Sequence, residues 1–123
     1  FFTRYLLNDY SVKHRIDYVY AGAVGTYGMV ALLQSSKACL RCVFPEPPAI
    51  DQTPTCASAG VLGPAIGVVA SLASTLAIQS ICKADLPQQF INIELWPFTA
   101  QSIHAQANDQ CECCAENNYE WLS

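Results

Sequence analysis

Two short cysteine pairs constrain this chain more than anything else in it. Cys39-Leu40-Arg41-Cys42 and Cys111-Glu112-Cys113-Cys114 are both spaced C-x-x-C. A two-residue gap lets both sulfurs of a pair face one ion from a tight turn, and two such turns complete a tetrahedral shell of four thiolates. Soft sulfur ligands in that geometry select zinc over harder ions. Four protein ligands leave no open position, so the role is structural. The ion would join a mid-chain loop to the C-terminal end. Competing readings are a disulfide within each pair, a redox C-x-x-C and an iron–sulfur cluster. A redox pair sits at a helix N-terminus after a strand, whereas Cys39 and Cys42 are followed by the proline-rich run Phe44-Pro45-Glu46-Pro47-Pro48. Zinc on Cys39, Cys42, Cys111 and Cys114 is the favoured reading. Cys113 is next to Cys114 and is an alternative fourth ligand.

Three cysteines lie outside the expected ligand set. An odd total of seven suits a disulfide framework poorly and points to a reducing, cytoplasmic setting. Cys56 directly precedes a long apolar segment. A thiol at a helix start is favoured as thiolate, which makes Cys56 a candidate for catalysis, against the plainer reading of a small loop residue. Cys82, at the far end of that segment, reads as inert core.

Charge excludes some functions. The net charge is -4, and the basic residues are scattered, so no nucleic-acid surface of clustered Lys and Arg is expected. Only 13% of residues are charged and 52% are hydrophobic, against roughly 25% charged in an ordinary soluble domain. Something else is therefore expected to cover part of the surface: a further segment, a second copy or lipid. Val61 to Cys82 is long enough to span a bilayer. Pro64, Ser71, Ser74, Thr75, Gln79 and Ser80 dilute its apolarity, and no aromatic residue marks either end. A helix buried on nearly all sides has the same composition and is preferred, with no membrane partner. Gly60, Gly63 and Gly67 would give that helix a bare face for close packing.

The expected order of elements is a helix over residues 1–15, with Phe2, Tyr5, Leu6, Asp9 and Val12 at helical spacing. A strand pair follows over 17–34, turning at Gly25-Thr26. Residues 39–57 form the first knuckle and a proline-rich loop, and 58–83 the apolar helix. Residues 88–114 hold two strands and the second knuckle. The whole reads as one α/β unit over residues 1–123. His14 and His104 read as a solvated and a structural residue. Gly22-x-x-Gly25-x-x-Gly28 has the wrong spacing for a dinucleotide loop. Read alone, the chain holds no complete catalytic set.

Several stretches together resemble the ThiF/MoeB/HesA family of adenylyltransferases, relatives of ubiquitin-activating enzymes. Thr3-Arg4-Tyr5-Leu6-Leu7-Asn8-Asp9 is similar to the helix after the family's catalytic pair. Tyr20-Ala21-Gly22-Ala23-Val24 with Gly28 is similar to its strand pair, and Cys39 to Pro48 to its first zinc knuckle. Thr55-Cys56-Ala57-Ser58-Ala59-Gly60-Val61-Leu62-Gly63-Pro64-Ala65-Ile66-Gly67-Val68 carries the most specific match. Cys111 and Cys114 match the second knuckle.

The resemblance implies the C-terminal part of a doubly wound α/β fold, with a mixed sheet, a buried apolar helix and a zinc knuckle. It implies ATP- and Mg-dependent adenylation of the C-terminal glycine of a ubiquitin-like sulfur carrier of the ThiS or MoaD type, serving thiamin or molybdopterin sulfur transfer. It also implies a homodimer. The family's nucleotide loop and magnesium-side Asp fall upstream of Phe1, so this portion is expected to supply the zinc site, the crossover loop at 45–57 and the dimer surface, and to be inactive alone. The resemblance implies two roles for Cys56: in ThiF-like members the cysteine at this position can join the carrier through sulfur, and in MoeB-like members it is dispensable. Cys113 and the tail Glu116 to Ser123 depart from the family pattern. The alternative function is a non-enzymatic, zinc-stabilised interaction module.

Overall fold

The computed structural model describes residues 2–49, 55–83 and 85–122. Helix α1 (Phe2–His14) leads into strands β1 (Tyr18–Val24) and β2 (Tyr27–Leu33). A single helical turn, α2 (Leu40–Val43), then a second, α3 (Cys56–Ala59), precede the long helix α4 (Gly63–Ile81). Strands β3 (Gln89–Leu95) and β4 (Phe98–His104) follow, and a 3-10 turn (Glu120–Leu122) ends the chain. The strands form one sheet in the order β1-β2-β3-β4. All three pairings are antiparallel. The mixed sheet expected from the family is reduced here to one parallel bridge, Gly25 with Val61.

Strand β2 is the centre of the molecule. Val30, Ala31, Leu32 and Leu33 are all buried, because both faces of β2 are covered. Alternate side chains point to opposite faces of a strand. Ala31 and Leu33 join Tyr5 of α1, Leu40 of α2 and Phe90 of β3 in one cluster. Burying a side chain such as Phe90 stabilises by about 1.5–3 kcal/mol. The opposite face of β2 receives α4. There Gly28 meets Val69, whose Cγ2 is 2.3 Å from where a Cβ on Gly28 would stand. Glycine in a strand marks close approach, and here the bare surface lies on the strand. Among the described residues, Gly63 and Gly67 have nothing within 4 Å of an added Cβ, so no described element packs on the expected glycine face of the helix.

The expectation of a helix buried on nearly all sides over 58–83 is corrected in two ways. The helical segment is split: α3 and α4 are separated by Gly60 (φ 72°) and the bridge at Val61. Helix α4 also buries only Ala65 and Val69. It lies chiefly against β1 and β2, and its outer side carries exposed Ile66, Val68, Ile78 and Ile81. By length and composition it could cross a membrane. An open apolar groove of about 660 Å³ runs beside it, lined by Pro64, Val68, Leu72, Ile93 and Phe98 among others. Every residue of β4 is exposed.

The helix α1 also differs in detail from its sequence pattern. Its buried residues are Tyr5, Asn8, Asp9 and Ser11, while Phe2, Leu6 and Leu7 are exposed. Tyr5 and Asp9 are buried as their spacing suggested, Asn8 and Ser11 join them, and Asn8 and Asp9 serve the site described next. The crossover loop expected at 45–57 lies partly outside the described residues, at 50–54.

Candidate metal centre

The two C-x-x-C pairs meet although they are remote in sequence. Cys39 caps α2, and Cys42 lies within it. One helical turn sets their sulfurs 4.0 Å apart, and the Cys42 amide donates to the Cys39 carbonyl at 3.1 Å. The second pair lies on a compact turn. The amides of Ala115 and Glu116 donate to the Cys111 carbonyl at 3.0 and 3.1 Å. Across the two turns, Cys39 Sγ is 3.7 Å from Cys111 Sγ and Cys42 Sγ 3.4 Å from Cys114 Sγ. All four sulfurs lie within 4.8 Å of one another.

Those separations can be set against a metal's demands. Zn–S bonds of ~2.3 Å in a tetrahedron place the sulfurs about 3.8 Å apart. The observed distances bracket that value, so the four cysteines can hold one metal ion. Close packing raises three of these thiols, Cys39, Cys42 and Cys114. Contact with Cys39, then burial, pushes the Cys42 thiol up to about 12. Burial, then contact with Cys42 and Cys111, pushes Cys114 up to about 12. Contact with Cys113 raises the Cys39 thiol further still, burial adding to it against an opposing contribution from Cys42. A divalent cation reverses this order, since a coordinating thiol is deprotonated outright.

Cys113 is a neighbour of the quartet. It is 0% exposed and packs with Cys39 and Cys111. Its sulfur accepts from Asn8 Nδ2 at 3.5 Å. The same side chain accepts, through Oδ1, the Leu40 amide at 2.8 Å. Asn8 therefore ties α1 to both cysteine turns at once. Groups around a metal's ligands that hold them in place in this way are part of the site.

A second tie runs through charge. Arg41, between the two cysteines of the first pair, is 4% exposed and faces Asp9, which is 0% exposed, at 3.3 Å. The guanidinium also reaches Glu112, inside the second pair, at 3.1 Å, and Glu120 at 2.7 Å. It donates to the Asn118 carbonyl at 3.1 Å. Asp9 in turn accepts the Trp121 amide at 3.1 Å, and Trp121 stacks against Phe2 and Tyr5 at 5.3 and 5.5 Å. The acidic tail is thus docked on α1. The sequence showed Arg41 only as one of several scattered basic residues. Its position inside a C-x-x-C pair, with Glu112 inside the other, was the available signal.

The remaining candidates stand apart. Cys56 opens α3, whose start is fixed by reciprocal hydrogen bonds between Thr55 and Ser58. Its thiol is exposed and donates to the Ala23 carbonyl at 3.4 Å. The hairpin tip holds the next segment in place: Gly25 donates to the Gly60 carbonyl and accepts from the Leu62 amide, both at 2.8 Å. Gly25 has φ 60°, a left-handed conformation that strains any side chain. Cys82 is exposed, contrary to the expectation of inert core, because α4 ends at the surface. His14 stacks on Tyr10 at 4.2 Å, and His104 ends the exposed β4.

Known proteins supply the context for this arrangement. The model of the ThiF family matches residues 1–113. The sulfur carrier protein ThiS adenylyltransferase of Bacillus subtilis is 29% identical over 100% of this chain and 37% of its own length. The SAMP-activating enzyme E1 of Haloferax volcanii is 30% identical over 96% of this chain and 44% of its own length. The chain therefore spans less than half the length of these relatives. In three dimensions, MccB of E. coli, solved with selenomethionyl MccA, superposes with a TM-score of 0.70 at 20% identity, over 88% of this chain and 35% of that one. That likeness establishes the fold, an α/β arrangement of an antiparallel sheet with helices. With residues 1–113 of its 123 matched by the family model, the chain belongs to the ThiF family.

Proposed function

We propose that this chain is the metal-clipped part of an ATP-dependent adenylyltransferase that activates the C-terminal glycine of a ubiquitin-like sulfur carrier. The observation that carries this reading is the family match along residues 1–113, with relatives whose names are adenylyltransferase and carrier-activating enzyme. In such a reaction the glycine carboxylate attacks the α-phosphate of ATP, pyrophosphate leaves, and a carrier acyl-adenylate forms. Residues of the parent protein outside 1–123 would hold ATP and magnesium. Residues 1–123 would contribute the clip, the loop over the carrier's tail and a surface for a second copy.

The clip is a zinc ion on Cys39, Cys42, Cys111 and Cys114. The sulfur separations and all-thiolate donor set support zinc. Zinc's contribution is to close the fold, and Cys113 supports the site without binding the ion. The cytoplasm, which keeps thiols reduced, is the compartment that suits it. Cys56 is the residue to carry covalent sulfur chemistry. Its thiol would attack the acyl-adenylate carbonyl, releasing AMP and a proton and leaving a thioester. Exposure of Cys56 on a fixed turn supports that role.

The test is carrier-dependent exchange of pyrophosphate into ATP by the parent-length protein. Exchange that requires the carrier's terminal glycine is expected. In Cys56→Ser the exchange should persist while the covalent carrier adduct disappears. Absence of exchange with every glycine-terminated carrier tried would contradict the proposal.

A further inference from the structure

The Arg41 network joins three things that are separate in sequence: the first cysteine turn, the second cysteine turn and the C-terminal turn. Its guanidinium lies between two of the ligand cysteines and pairs with Glu112, which lies between the other two. The same group holds the tail through Glu120 and the Asn118 carbonyl. Asp9 completes the loop, pairing with Arg41 and accepting the Trp121 amide. A buried guanidinium can serve all of these only while both turns stand where a shared ion would hold them. Four thiolates around a divalent cation also carry net negative charge, which favours a cation beside them.

We propose that Arg41 couples occupancy of the metal centre to docking of the C-terminal turn, so that Trp121 is seated on α1 when the ion is bound and released when it is lost. Arg41 is here a positioning residue; it touches no reacting atom. This inference rests on the metal reading above. Coupling of this kind is reciprocal: loosening the tail must weaken the hold on the ion by the same factor that losing the ion loosens the tail.

The experiment uses the full chain carrying Trp96→Phe, which leaves Trp121 as the remaining tryptophan of two. Zinc content is measured by native mass spectrometry. Trp121 emission, acrylamide quenching and far-ultraviolet circular dichroism are recorded with zinc and after a chelator. On chelation a red shift and stronger quenching are expected while helix content is kept. Arg41→Gln should show the released Trp121 signal with zinc still bound. Arg41→Lys, which keeps the charge but not the fork, should fall between. Glu120 is half-exposed, so Glu120→Gln preserves the fold and decides the matter if Arg41→Gln does not fold. It should weaken zinc affinity, read by equilibrium competition with the chelator, by about 5-fold, the lower end of ordinary coupling. Zinc binding with Trp121 unmoved on chelation, and unchanged zinc affinity in Glu120→Gln, would overturn the coupling and leave the metal centre standing. A chain that takes up no zinc would overturn both.

Discussion

At the scale of single residues, the site depends on four sulfurs and the polar groups that aim them. Cys114→Ser should abolish stoichiometric metal binding, while Cys113→Ala should keep it, because Cys113 is outside the quartet and bonded to Asn8. Metal analysis of the two purified variants distinguishes them. The acidity of the thiols sets a pH dependence with a definite sign. Cys42 and Cys114, free, hold their protons up to about 12, so at neutral pH each must lose a proton to bind the ion. Metal affinity should therefore rise with pH across the neutral range and fall on acidification. Calorimetry in buffers of differing ionisation enthalpy should show protons released on binding, on the order of four per ion. The pair Arg41–Asp9 gives a third expectation. Both partners are buried, and removing one partner of a buried pair strands the other's charge. Asp9→Ala should cost about 3 kcal/mol, read from the urea midpoint, Glu112 and Glu120 still shielding Arg41.

At the scale of elements, the molecule turns on β2 and what lies on each of its faces. Gly28 lets α4 approach the sheet, and Gly28→Ala would drive a methyl into Val69. Overpacking of this kind costs about 1–3 kcal/mol, and thermal unfolding should show it. The elements were largely legible from sequence because their signals are local. Strand β2 reads as an unbroken apolar run, Gly25 marks the hairpin, and Pro64 lies in the first turn of α4. The cysteine turns were legible for the same reason: each spacing is a property of four consecutive residues. The work of Asn8, Asp9 and Arg41 was not, since their partners lie far along the chain and only the fold brings them together. The tail looked like a departure and proves to be docked, through Trp121, against the first turns of α1.

At the scale of the whole molecule, the shortage of charge has a visible consequence. Ile66, Val68, Ile78, Ile81, Trp96 and Phe98 are exposed, beside an open apolar groove. Exposed apolar surface in larger patches is characteristic of interaction sites. The sequence suggested a helix covered all round, but among the described residues the outer side of α4 is left exposed. The 123-residue chain should therefore bind a hydrophobic dye and self-associate with rising concentration, as sedimentation velocity would record. A protein of the length of the relatives should do so much less. The sheet, the two cysteine turns and the docked tail lie together, with four cysteines that can hold one ion at their junction and an exposed apolar side on α4.

The most direct measurement of the metal centre is native mass spectrometry of the full chain, before and after denaturation in the presence of a chelator. One zinc ion per chain is expected under native conditions, lost on denaturation with the chelator and absent when any one of Cys39, Cys42, Cys111 or Cys114 is replaced by serine. A natively purified chain that carries no metal even after zinc is added, or one that keeps it unchanged after all four replacements, would contradict a four-cysteine zinc site.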